Sequence, residues 1–157
     1  MLKIIHERGR GTLCLICYRL PSQGTVLVDF LTENLDHLMT NHQCENVIIL
    51  GDLNPPEIQR FFDSLLAVFN LHNHVTFPTH RSGSSLDPVL TDLPSHDVQC
   101  SSLGPVGSLD HEVVFTSVAF RRLRDEYHPH PLAMGGYGLG WTASLPGTGE
   151  LGGPAAR

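Results

Sequence analysis

The run Asn46-Val47-Ile48-Ile49-Leu50 stops at Gly51, and no unbroken aliphatic stretch in the chain is longer than Val47–Leu50. A strand with one face in water alternates apolar and polar residues; a continuously apolar one reads as covered on both faces. The chain must therefore supply layers on either side of a sheet. Thr12–Tyr18 has β character and breaks at Arg19-Leu20-Pro21-Ser22. From Thr25, Val26, Phe30, Leu31, Leu35 and Leu38 recur at helical spacing. Pro55-Pro56-Glu57 reads as a second helix start, with Ile58, Phe61, Phe62, Leu65 and Leu66 as its buried stripe. His74–Phe77, Leu86–Thr91 and His111–Phe120 read as further strands, whereas Met1–Gly11 has no clear period. Helices alternate with strands early and strands dominate later, which predicts an α/β layered sandwich with a mixed sheet.

The character changes after Arg121-Arg122-Leu123-Arg124. Glu126–Arg157 holds eight Gly and four Pro in 32 residues without apolar periodicity, so the reading is a folded domain over 1–124 and a disordered Gly/Pro-rich tail over 125–157. Net charge is −6, which excludes a global basic field for holding nucleic acid or an anionic membrane; any phosphate contact must be local. No stretch is long enough to span a bilayer and the first ten residues do not read as a secretion signal, so the expected location is intracellular, with no membrane partner. Cys14 and Cys17 form a C-x-x-C, but three residues apart on a strand they point to opposite faces, and they read as packed thiols.

Three segments carry candidate chemistry. Gly51-Asp52-Leu53-Asn54-Pro55 ends a buried strand with a carboxylate and a carboxamide two residues apart, oxygen groups suited to Mg²⁺ or to a positioned water; the alternative is that both are turn formers ahead of a helix. Gly107-Ser108-Leu109-Asp110-His111 precedes an apolar run and offers an acid beside an imidazole; such pairs also occur in ordinary surface turns. Pro78–Thr91 places Asp87 inside an otherwise apolar strand, where a carboxylate needs a partner, and His111 is a natural one.

These segments, in this order and spacing, together with Cys17-Tyr18-Arg19-Leu20-Pro21-Ser22 upstream, resemble the endonuclease/exonuclease/phosphatase family. More narrowly, they look like the apurinic-type endonuclease domain of non-LTR (LINE-like) retrotransposons, over Gly11 to Phe120. The resemblance implies a DNase I-like four-layer α/β sandwich of which this chain carries the C-terminal half, without the N-terminal strands. It implies that Asp52 and Asn54 position the attacking water and stabilise the transition state, that His111 binds a phosphate oxygen with Asp87 polarising it, and that Asp110 lies at the metal. Tyr18 and Arg19 would contact phosphate. The implied reaction is hydrolysis of a DNA phosphodiester with Mg²⁺, or Mn²⁺ in its place, and an enzyme acting on DNA would be nuclear.

The chain begins after the family's early Asn and its principal metal-binding Glu, so the resemblance also implies weak metal binding and weak or no activity. An apolar sheet face would be left open to another chain. Pro88 stands where the family has an apolar residue and removes a ladder donor, and Leu53 and Leu109 are milder departures. The alternative reading is a non-catalytic, degenerate fragment that binds nucleic acid or has no independent function.

Overall fold

β3 (Asn46–Leu50) lies in the middle of a five-stranded sheet, with β1 (Leu2–Ile5) and β2 (Gly11–Ile16) on one side and β5 (Val89–Thr91) and β4 (His72–Asn73) on the other. The computed structural model describes residues 1–6 and 11–120; the tail expected over 125–157 lies outside the described residues, as do Glu7, the single acidic residue ahead of Tyr18, and the Arg121–Arg124 cluster. β2 and β3 run parallel and are joined by α1 (Val26–Asn41), while the other neighbours pair antiparallel, so the sheet is mixed as expected. A second helix, α2 (Gln59–Val68), follows a short 3₁₀ turn at Pro55–Ile58, and the described chain closes with a hairpin of β6 (Val98–Pro105) and β7 (Glu112–Val118).

The two faces of β3 account for its unbroken apolar run. Val47 and Ile49 join Leu13, Leu15 and Leu90 in a core closed by Val28, Leu31 and Leu35 of α1 and Phe62 and Leu65 of α2. Ile48 and Leu50 face the opposite way, toward Val75, Val89 and the hairpin residues Cys100, Val114 and Val118. Helices, sheet and hairpin make three layers, a mixed α/β arrangement among the described residues.

Several local expectations need correction. On α1 the buried stripe is Val28, Leu31 and Leu35, while Val26 and Phe30 are exposed, because the helix holds more apolar residues than one face can bury. On α2 Phe61 is likewise exposed beside buried Phe62 and Leu65. No strand forms at His74–Phe77, where one was expected; the nearest pairing is the two-residue β4 just before it, and the strand expected from Leu86 begins only at Val89, directly after Pro88, which has no N–H for a ladder. Asp87 therefore lies in the loop before β5 and not inside a strand. Leu2–Ile5, where the sequence showed no period, forms an exposed edge strand, and β6 passed unread because Gln99, Ser101 and Ser102 dilute its apolar signal.

Cys14, Cys17, Cys44 and Cys100 are all free thiols. Burial pushes the Cys14 and Cys17 thiols above the ordinary thiol range. Val113 and Phe115, on the outward side of β7, are exposed, as are Leu103, Val106 and Leu109 around the hairpin turn. No helix among the described residues is long and apolar enough to cross a membrane.

Candidate functional site

The site is assembled from three chain segments that leave or enter the sheet. At the end of β3, Gly51 takes a positive φ of 123° and the chain turns sharply away, with Asn54 in the left-handed region at φ 46°. Asn tolerates that conformation better than most residues do. Its carboxamide does not cap the following helical turn; Nδ2 donates instead to Asp52 Oδ1 at 2.9 Å and to the Arg19 carbonyl at 3.2 Å. The two expected residues are thus joined directly, with one carboxylate oxygen of Asp52 held in place.

The second part is a histidine fixed by a carboxylate. His111 Nδ1 lies 2.9 Å from Asp87 Oδ2, and the same oxygen accepts from Thr79 Oγ1 at 2.7 Å. Thr79 is fully buried, and its hydroxyl also accepts from the backbone N–H groups of Leu86 and Asp87. Asp87 is therefore partnered as the burial argument required, although from a loop. The pairing leaves the Nε2 side of the His111 ring for an external group.

The third part is His80, which sequence reasoning placed only in a turn. It forms a bridge with His111 across antiparallel backbone, its ring meets that of His111 edge-on at 5.0 Å, and its Nε2 lies 3.3 Å from Asp110 Oδ2. Arg81 N–H donates to the Asp110 carbonyl and Glu112 N–H to the Thr79 carbonyl, both at 2.8 Å, lacing the two loops together. The available signal was the Thr79-His80 pair inside the stretch already singled out around Asp87.

Charge links these parts. The hydrogen bond to Asp87 raises the His111 pKa, with smaller contributions from Asp52 and Asp110. Asp52 is raised by burial first and by the Asp87 charge second, while His111 pulls it back. Asp110 is lowered, chiefly by its hydrogen bond from His80. The structure thus brings Asp52, Asn54, Asp87, Asp110 and His111 into one electrostatic neighbourhood. A carboxylate whose hold on its proton is strengthened lies within electrostatic reach of an imidazole favoured in its cationic form, a combination suited to an anionic ester.

The stability that His111 gains from Asp87 is fully present below the ordinary histidine value of 6.5 and is lost as pH rises through the raised folded value. Wild type is therefore expected to exceed Asp87→Asn in stability most at about pH 6 and least at about pH 9. Urea denaturation of both proteins across that range checks this; a gap that widens with pH would contradict the pairing.

Two expected phosphate contacts fare differently. Tyr18 is exposed just beyond the end of β2. Arg19, expected to meet an anion, is fully buried: Nε donates to Leu53 O, Nη1 is shared among Leu20, Pro21 and Gly24 carbonyls, and Nη2 donates to Asn54 O and Glu57 Oε2. Every guanidinium donor is spent within the protein, so Arg19 fastens the Asp52–Asn54 loop and offers nothing to a ligand.

As a Mg²⁺ site the described residues fit poorly. Mg²⁺ demands oxygen ligands in near-octahedral array, yet Asp87 is committed to Thr79 and His111, Asp52 shares its carboxylate with Asn54, and Asp110 stands between two imidazoles. A scan against protein-family models, a search of curated proteins and a search of solved structures found nothing that matches this chain.

Proposed function

We propose that the chain is a remnant of a retrotransposon-derived DNA endonuclease of the endonuclease/exonuclease/phosphatase type, corresponding to the C-terminal half of a DNase I-like sandwich and weakly active or inactive by itself. The observation that carries this reading is the convergence of Asp52–Asn54 and Asp87–His111 at one end of a mixed sheet, from segments more than 30 residues apart. In it, Asp52, oriented by Asn54, takes a proton from the attacking water. His111, held by Asp87 and Thr79, donates from Nε2 to a non-bridging phosphate oxygen, so the charge developing on the phosphate meets a fixed imidazolium. Tyr18 is the further phosphate contact, and DNA is the substrate class.

A divalent ion would supply charge neutralisation on the phosphate, and the reading assigns Asp110 to it. The poor oxygen set for Mg²⁺ is why the expected activity is low. It also favours the second reading, a fragment that retains phosphate contacts without turnover.

Nicking of supercoiled plasmid by the purified chain, with Mg²⁺, Mn²⁺ or EDTA, tests the proposal. Slow relaxation that needs the ion and falls at least about 100-fold in His111→Ala, in line with the usual contribution of one acid–base group, supports it. Relaxation equal in wild type and mutant would assign the cleavage to a contaminant. Ion-independent DNA binding without relaxation would favour the non-catalytic fragment.

A further inference from the structure

His80, Asp110 and His111 form a group whose ligand atoms all lie within 4.8 Å of one another. Three features make this more than proximity. First, each imidazole is turned by its other nitrogen: His111 Nδ1 is fixed by Asp87 at 2.9 Å, and His80 Nδ1 lies 2.7 Å from Ser82 Oγ. A partner on Nδ1 is what orients a metal-ligating histidine and presents Nε2 outward. Second, the ring of His80 already sits over Asp110, Nε2 to Oδ2 at 3.3 Å. Third, the backbone lacing through the His80–His111 bridge and the Arg81 N–H to Asp110 carbonyl bond fixes the spacing of the two loops without an ion.

We propose that His80, Asp110 and His111 form a binding site for a transition-metal ion of the Zn²⁺ class, with Asp87 and Ser82 as its orienting partners. Two neutral imidazoles and one carboxylate suit zinc, cobalt or nickel, and they discriminate against Mg²⁺. Asp110 is half exposed, so its side chain can close on an ion and water can complete the coordination. Before binding, the Ser82 N–H donates to His80 Nδ1 at 3.1 Å, which places the His80 proton on Nε2, toward Asp110. On binding, the ring changes tautomer: the proton on Nε2 is exchanged through solvent for one on Nδ1, which Ser82 Oγ accepts, the Ser82 N–H bond to Nδ1 opens, and the Nε2 lone pair turns to the metal. No net proton is released at His80 by this exchange. The site shares Asp110 and His111 with the phosphodiesterase reading and competes with it, since an ion on His111 Nε2 takes the place of the proton which that reading gives to phosphate.

Calorimetric titration of the full metal-free chain with Zn²⁺, and separately with Mg²⁺, tests the site, with Co²⁺ absorption in the visible as a second readout. One equivalent of Zn²⁺ is expected to bind at least about 100-fold more tightly than Mg²⁺. His80→Ala is expected to abolish the binding and the Co²⁺ bands, and Asp87→Asn to weaken binding roughly 10- to 100-fold through loss of orientation. Asp52→Ala and the tail double variant His128→Ala/His130→Ala should leave both unchanged. Zn²⁺ binding that survives in His80→Ala, or that is lost in the tail variant, overturns the proposal, as does Mg²⁺ binding of equal strength. His80 is on a surface loop, so circular dichroism of its variant separates loss of ligand from loss of fold. Because the readout is binding, zinc uptake without DNA nicking would leave this site standing and move the proposed function to its non-catalytic form.

Discussion

Arg19→Leu is expected to destabilise the fold by about 3–5 kcal/mol, the range for removing one partner of a buried charged network. The volume is nearly kept, so the loss comes from polar groups. Carbonyls of Leu20, Pro21, Gly24, Leu53 and Asn54 lose their shared donor at once, and Glu57 loses its ion-pair partner. Glu57 is half exposed and regains water, as do the outermost carbonyls, so the cost stays below the sum of the separate bonds. Arg19→Lys should restore little, because an ammonium has three donors on one atom and cannot span both sides of the loop. Urea denaturation measures the effect. A shift within about 0.5 kcal/mol, as for an ordinary surface residue, would return Arg19 to the role of a free anion contact.

That residue marks the limit of what the sequence could reveal. β3 was legible because a continuous apolar run has a physical meaning independent of its neighbours, and Asp52–Asn54 was legible because both residues belong to the same turn. The Asp87–His111 pair was legible because a carboxylate among apolar residues needs a partner and an imidazole is a natural one, although the strand expected around Asp87 is a loop. Arg19, by contrast, sits in a polar-looking turn; only the return of the chain at Leu53 and Asn54, 34 and 35 residues later, buries it. His80 was hidden for the same reason, as its neighbours Arg81, Ser82 and Gly83 spell a surface turn and its contacts with Asp110 and His111 are tertiary. The misplaced stripes of α1 and α2 arose from surplus apolar residues: Phe30 and Phe61 keep helical spacing but face away from the core.

Gly51→Ala is expected to be the most damaging added methyl group among the described glycines, costing more than about 3 kcal/mol and dispersing the site with the fold. At Gly51 the backbone holds φ 123°, outside the range of L-residues, and a Cβ there would lie 2.0 Å from the Cys17 carbonyl oxygen. No side-chain rotation relieves a contact between two backbone-fixed atoms. The close approach exists because the parallel ladder continues past both strand ends: Cys17 N–H donates to Leu50 O and Arg19 N–H to Asp52 O, each at 2.8 Å, with Gly51 between them. To admit the methyl group, one of these bonds must open. If the second opens, Asp52 moves away from Asn54 Nδ2, and Arg19 loses its register with Leu53 and Asn54. Gly104→Ala supplies the comparison, because Gly104 also has a positive φ, 80°, but nothing lies within 4 Å of its Cβ position. That variant should cost only about 1 kcal/mol, the conformational penalty without the collision. Denaturation of the two variants in parallel separates the contributions: equal losses would mean that backbone freedom alone selects glycine at position 51, whereas a large excess at Gly51 would mean that contact with Cys17 sets where Asp52 can stand.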